Sequence, residues 1–245
     1  MKIAVISDIH ANLQALEAVI DDIRETGADE VWCLGDAVGY GANPNEVLEI
    51  LADTCSVCLI GNHDLAALGE IDVSIFSTSA SEAALWTRRA LTGQSTAFLS
   101  GLAGASGERE GIGLFHGSPR DPVWEYVLDG ESAEECLSVQ PTPIGLIGHS
   151  HLALYFTRAD ELSRITAEPA PQGTVLGLRR GQWLLNPGSV GQPRDGDPRA
   201  AWLELNTETM EARYRRSAYP IDLAAAAILE AGLPPNLADR LTTGH

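Results

Sequence analysis

The chain has 245 residues, 44% of them hydrophobic, with 24 Gly and 13 Pro; this is the composition of a globular protein, and one α/β domain can fill that length around a single core. Its 34 acidic and 16 basic residues leave a formal charge of −18, which excludes a long nucleic acid as partner, because affinity for such polyanions comes from Lys and Arg that displace counterions. No run of about 18 apolar residues is present to cross a membrane, and Met1-Lys2 leads straight into Ile3-Ala4-Val5-Ile6, too short a stretch for a signal-peptide core, so a cytoplasmic protein without a membrane partner is expected.

In chain order, Lys2–Ser7 reads as a strand. Asn12 is placed to cap a helix that carries Leu13, Leu16, Val19, Ile20 and Ile23 at helical spacing and is closed by Gly27. Val31–Leu34 is a second strand, Pro44–Ala52 a second helix with Pro in its first turn, and Val57–Ile60 a third strand. This β-α-β-α-β order predicts parallel neighbours joined by right-handed crossovers. Helices are expected over Ser79–Leu91 and Ser95–Leu102, covering a sheet face, and Ile112–Phe115 and Ile144–Ile147 are two further short apolar runs. After His151 the texture changes to short strands with turns, at Ala153–Thr157, Ser163–Ala167, Thr174–Leu178, Gln182–Leu185, Ala201–Leu205 and Glu211–Arg215. That predicts a second, more antiparallel sheet packed on the first. Small helices around Leu223–Leu229 and Leu237–Leu241 follow. The expected whole is one domain over residues 1–245, with 219–245 as a helical extension that serves either as a cap over a pocket or as the contact of a homo-oligomer.

Four cysteines, Cys33, Cys55, Cys58 and Cys136, read as free thiols buried in a reducing compartment. Three apart along a strand, Cys55 and Cys58 would point to opposite faces and form neither a redox pair nor half of a zinc site.

Five of the six histidines fall in short motifs directly behind apolar runs: Asp8-Ile9-His10, Gly61-Asn62-His63-Asp64, His116-Gly117 and Gly148-His149-Ser150-His151, with Gly35-Asp36 between the first two. In open α/β sheets ligands gather beyond the carboxyl ends of strands, which is where these residues sit. Asp8, His10, Asp36, Asn62, His116, His149 and His151 form a mixed N/O set that suits Mn, Fe, Zn, Co or Ni better than Ca or Mg. The set is large enough for two ions if one carboxylate bridges them. Bound divalent cations reverse the local sign of an acidic surface, so a small phosphorylated substrate is compatible with the overall charge.

The order Asp-x-His, Gly-Asp, Gly-Asn-His-Asp, His and Gly-His-x-His over residues 8–151 resembles the calcineurin-like metallophosphoesterase superfamily, in its branch of small bacterial and archaeal phosphodiesterases. The stretches Gly39-Tyr40-Gly41-Ala42-Asn43-Pro44, His116-Gly117-Ser118-Pro119-Arg120 and Asn186-Pro187-Gly188-Ser189-Val190-Gly191-Gln192-Pro193-Arg194 extend the likeness. The resemblance implies an α/β fold, a four-layer α-β-β-α sandwich of two mixed sheets. It implies two divalent transition-metal ions, Mn²⁺ foremost, with Asp8, His10, Asp36 and His151 on one, Asp36, Asn62, His116 and His149 on the other, and Asp36 as the bridge. His63 matches the family's general acid, with Asp64 orienting its imidazole and Asn62 beside it. The implied reaction is hydrolysis of a phosphodiester or phosphoanhydride bond of a small nucleotide by a hydroxide held between the ions. The alternatives are a phosphomonoesterase or protein phosphatase and, in a different class, a scaffold that has lost catalysis.

Four more residues are candidates for contact with substrate. Arg120 and Arg194 offer the paired donors that match a phosphoryl group, or else they pair with Asp121 and Asp195 beside them. Tyr40 and Asn43 lie in the glycine-rich loop after Asp36, facing a leaving group or serving only as a turn. Asn186-Pro187-Gly188-Ser189 is expected to turn beneath the metal site, and Trp32 and Trp202 fall in strands as core residues.

Overall fold

Period-two alternation in the first strand sets the architecture. The computed structural model describes residues 1–102 and 104–245. Strand β1 (Lys2–Ile6) turns Ile3 and Val5 toward one apolar cluster and Ala4 and Ile6 toward another, because successive side chains of a strand leave on opposite faces. Strand β2 (Glu30–Cys33) divides in the same way, with Trp32 on the first side and Val31 and Cys33 on the second. Between them runs α1 (Leu13–Thr26). Asn12 caps it, its Oδ1 accepting from the Ala15 N–H at 3.1 Å, and Gly27 ends it at φ 66°, a left-handed conformation that glycine adopts without steric penalty.

The chain continues through α2 (Pro44–Thr54), β3 (Val57–Cys58), α3 (Asn62–Leu68), a 3₁₀ turn at Val73–Ile75, α4 (Thr78–Ala90) and α5 (Gly93–Ser100). Next come β4 (Ser106–Arg109), β5 (Ile112–Phe115), α6 (Gly130–Val139), β6 (Ile144–Leu146), β7 (Ala153–Arg158), β8 (Thr166–Pro169) and β9 (Val175–Gly177). Strands β10 (Gln182–Pro187), β11 (Ala200–Asn206) and β12 (Glu211–Ser217) and helices α7 (Ile221–Glu230) and α8 (Pro235–Thr243) complete it. One six-stranded sheet has the order β3-β2-β1-β11-β12-β9 and the other β4-β5-β6-β10-β7-β8. Both are mixed: β1, β2 and β3 are parallel, as are β5, β6 and β10, and the remaining pairs are antiparallel.

Three apolar clusters define four layers. Ile3, Val5, Trp32, Leu203 and Leu205 of the first sheet meet Ile112, Leu114, Leu146 and Leu185 of the second in a cluster between the sheets. Tyr214 crosses this interface, its hydroxyl donating to the Leu154 carbonyl at 2.9 Å. Outside the first sheet, Leu16, Val19, Ile20, Leu48, Leu51 and Leu99 form a helical layer with Trp202. Outside the second, Ala133, Cys136 and Leu137 of α6 pack on Phe115, Phe156 and Leu184. The expected four-layer α-β-β-α sandwich is what the chain forms, and Trp32 and Trp202 are core residues as expected.

The extension beyond residue 219 is fastened to this body: Ala224, Ile228, Leu233, Leu237 and Leu241 share the helical-layer cluster with α1. Two expectations need correction. Helices α3 and α6 and the edge strand β4 have no counterpart among the expected elements. Cys55 closes α2 instead of lying in β3, so the opposite-face argument does not apply. Cys33 and Cys58 are register partners on neighbouring strands, and all three thiols belong to the helical-layer side. All four cysteines are free, although Cys55 and Cys58 are only half-buried.

Candidate metal centre

Six strand ends meet at one rim of the sandwich. Asp8 and His10 follow β1, Asp36 follows β2, Asn62 follows β3, His116 follows β5, His149 and His151 follow β6, and the Asn186-to-Arg194 turn leaves β10. Two donor groups result. Asp8, His10 and His151 each offer a ligand atom within 4.8 Å of the others, and so do Asp36, His116 and His149. Asp36 lies between the groups: its Oδ2 is 3.6 Å from His10 Nε2 and 3.5 Å from His116 Nε2. Asn62 Oδ1 is 3.1 Å from His116 Nε2, and Asp8 Oδ1 is 3.3 Å from His151 Nε2.

The outer ring nitrogens fix which nitrogen points inward. His10 Nδ1 lies 3.1 Å from the Val38 carbonyl, His116 Nδ1 3.0 Å from Leu34 O and His151 Nδ1 2.6 Å from Gln192 O. A carbonyl only accepts, so each Nδ1 carries the proton and each neutral ring turns the Nε2 lone pair toward its group. Burial keeps the rings neutral by lowering their basicity, His10 well below the usual range and His149 to about 3. Burial also drives the Asp36 carboxyl well up, with the nearby Asp64 and Asp8 adding to it. Asp8 Oδ1, Asp36 Oδ2 and His149 Nε2 are buried without a hydrogen-bond partner. Such groups are destabilising by about 1–3 kcal/mol each when unsatisfied. Carboxylate oxygens and imidazole lone pairs converging in this way fit a pair of divalent transition-metal ions.

The backbone here is strained. Asp8, His10, Asp36, His149 and His151 have φ of 54°, 50°, 53°, 64° and 60°, and Tyr40 has 58°. A left-handed conformation is uncommon for side-chain-bearing residues, and such outliers cluster where function over-determines the geometry.

Helix α3 places Asn62 and His63 in its first turn. The His63 N–H donates to Asp36 Oδ1 at 2.8 Å, so the carboxylate between the two groups also positions this residue. The imidazole is enclosed by Tyr40, Phe76 and His10, with ring centroids 4.4, 4.8 and 4.9 Å away. Asp64 does not orient it as expected. Asp64 Oδ2 accepts from the Gly61 N–H at 2.9 Å and Oδ1 from the Val38 N–H at 3.0 Å, whereas His63 Nδ1 has no partner. Asp64 therefore ties the loop before α3 to the loop after β2. A Cβ on Gly61 would overlap Asp36 Oδ1. Gly61→Ala is expected to destabilise the fold by about 1–3 kcal/mol through overpacking and to lower metal content, as read by thermal unfolding and metal analysis.

An open cleft of about 350 Å³ lies over these residues, lined by Tyr40, Asn62, His63, Phe76, Trp124, Tyr126, His149, Arg194 and Arg240 among others. Tyr40 and Arg194 thus both line the cleft. Asp195 pairs with Arg216, leaving Arg194 to donate to Gln192 Oε1 at 2.8 Å. Arg120 does not line the cleft; Glu125 and Glu135 hold it instead of the expected Asp121. Asn43 precedes α2 without capping it through its side chain and lines a smaller recess with His10 and Tyr40. The expected turn beneath the site is present, with Asn186 Nδ2 donating to Gly148 O at 2.7 Å and Ser189 Oγ to Asp8 O at 2.7 Å. Sequence reasoning missed the aromatic wall. Tyr126 stacks on His149 at 4.0 Å, and Phe76 lies 6.0 Å from Trp124. The available signal was three aromatics in segments with no helical or strand period.

Two mixed sheets joined face to face, with two Asp/His groups at one rim, define a phosphoesterase fold, and the family model of the calcineurin-like phosphoesterase superfamily domain matches residues 1–208. The chain belongs to that superfamily. It is 35% identical to the protein MJ0912 of Methanocaldococcus jannaschii, over 99% of this chain and 98% of that one. The crystal structure of a metallophosphoesterase from Sphaerobacter thermophilus is similar with a TM-score of 0.91 and 36% identity, covering 100% and 99% of the two chains. The protein PH1004 of Pyrococcus horikoshii OT3 shares the fold, with a TM-score of 0.81 at 20% identity over 100% and 98%. Among the described residues no helix is long and apolar enough to cross a membrane.

Proposed function

We propose that the protein hydrolyses a phosphodiester or phosphoanhydride bond of a small nucleotide-like substrate with two divalent transition-metal ions, Mn²⁺ foremost. The observation that carries this reading is the pair of Asp/His groups sharing Asp36 beneath an aromatic cleft. Asp8, His10, Asp36 and His151 would hold one ion, and Asp36, Asn62, His116 and His149 would hold the other. Bound there, the ions supply Lewis acidity toward a phosphoryl oxygen and lower the pKa of water.

The chain's own residues do the rest. His63 gives a proton to the departing oxygen. Burial lowers its basicity, and the negative charge of a bound phosphate acts in the opposite direction. The Asp36 carboxylate fixes the His63 backbone, while Tyr40 and Phe76 restrict the ring and exclude water. Phe76, Trp124 and Tyr126 offer the flat apolar surface on which a base stacks.

The test is metal-stripped protein reloaded with Mn²⁺. At an ion concentration of about 100 times Kd, stability is expected to rise by about 2.7 kcal/mol and Tm by roughly 5–10 °C, reversed by a chelator. Loaded protein is expected to show a higher kcat/KM on bis-p-nitrophenyl phosphate than on p-nitrophenyl phosphate. A preference for the monoester would replace this reading with a phosphomonoesterase, and no shift in Tm would remove the metal assignment.

A further inference from the structure

Among the described residues, ion pairs engage Arg24, Arg109, Arg120, Arg199, Arg215 and Arg216. Arg194 and Arg240 are in none of them, and these two line the same cleft. They arrive from separate parts of the chain. Arg194 stands in the turn after β10, and Arg240 in the last turn of α8, beyond residue 208 where the family match ends.

Neither guanidinium has a carboxylate within ion-pair distance among the described residues. Arg194 Nη2 donates to Gln192, but its Nε is buried without an acceptor, and its Cζ lies 5.9 Å from the Tyr40 ring centroid. Tyr40 lines the cleft together with both cations. Helix α8 is anchored, with Leu237, Ala238 and Leu241 in the core and Ser79 Oγ donating to Asn236 Oδ1 at 3.0 Å. Arg240 thus projects from a fixed helix. In a chain of charge −18, two cations without carboxylate partners beside a metal-binding rim make a place for negative charge that the ions do not neutralise. A guanidinium presents paired N–H donors matched to phosphate oxygens.

We propose that Arg194 and Arg240 form a subsite for a second phosphate, adjacent to the one held at the donor groups, so that the cleft selects nucleotides carrying two or more consecutive phosphates over those carrying one. The proposal rests on the reading of the rim as a metal-dependent phosphoesterase site. It gives the C-terminal helix a binding role in specificity: the first phosphate would lie at the Asp/His donor groups, the second at the two arginines, and the base against the aromatic wall.

The test is calorimetric titration of the Mn²⁺-loaded protein with α,β-methylene-ADP and with AMP. Wild type is expected to bind the two-phosphate ligand more tightly. Arg240→Ala is expected to reduce that preference by about tenfold or more, the scale of a charge-assisted hydrogen bond, and Arg240→Lys to restore part of it. The Tm of each variant serves as the control for folding. Equal affinity of wild type for the two ligands, equal weakening of both in Arg240→Ala, or an unchanged preference in that variant would each overturn the proposal. Failure of the loaded wild type to hydrolyse any phosphate ester would instead defeat the catalytic reading, and the binding ratio would still decide the subsite.

Discussion

Asp36→Asn is expected to lose both metal ions together and to lower phosphoesterase activity by at least about 1,000-fold, a barrier increase of about 4 kcal/mol. The size follows from position. Asp36 Oδ2 is 3.6 Å from His10 of one donor group and 3.5 Å from His116 of the other, so one substitution reaches both. Asn keeps the shape and leaves a carbonyl oxygen to accept from the His63 N–H. It also removes the negative charge and turns an amide N–H₂ toward the donors, where a cation repels it. Asp8→Asn is the comparison, because Asp8 belongs to the group of His10 and His151 alone; it should weaken one ion more than the other. Metal analysis after gel filtration, alongside hydrolysis of bis-p-nitrophenyl phosphate, reads both variants. Two ions retained by Asp36→Asn would refute the shared-ligand assignment.

His63→Ala separates proton donation from metal binding. Its ring is absent from both donor groups and packs instead among Tyr40, Phe76 and His10, so the variant should keep its metal content. Activity toward an alkyl or nucleoside leaving group is expected to fall by about 100- to 10,000-fold, the usual range for general acid assistance. Toward p-nitrophenyl esters the loss should be much smaller, since p-nitrophenolate departs without a proton. Parallel losses on both kinds of ester would show that His63 supports the site in some way other than donating a proton.

The fold was legible wherever a strand or helix carried a clean apolar period. Strand β1 and helix α1 are such cases, including the Asn12 cap and the Gly27 stop. Helix α3 was not, because seven residues are too few for a 3.6-residue period to stand out. Helix α6 buries only Ala133, Cys136 and Leu137 within Gly130–Val139, and β4 reads Ser-Gly-Glu-Arg, a polar edge strand recruited by its pairing with β5. For the candidate site, the residue types and order that point to metal were in the motifs. What the motifs did not contain was direction. Asp64 sits beside His63 in sequence, yet its oxygens face the backbone of Gly61 and Val38. Phe76, Trp124 and Arg240 reach the cleft through tertiary packing, over separations no local pattern spans.

The left-handed backbone at Asp8, His10, Asp36, His149 and His151 bears on how such a chain ages in evolution. Each of these positions holds a side chain at a local penalty of about 1–3 kcal/mol, and glycine would occupy the same turn with little strain. Selection for folding alone would therefore drift these five sites toward glycine and gain stability as it did so. A descendant released from its chemistry should show that drift first at the rim, before its core changes. This chain has aspartate or histidine at all five positions, so it carries that local penalty at each of them.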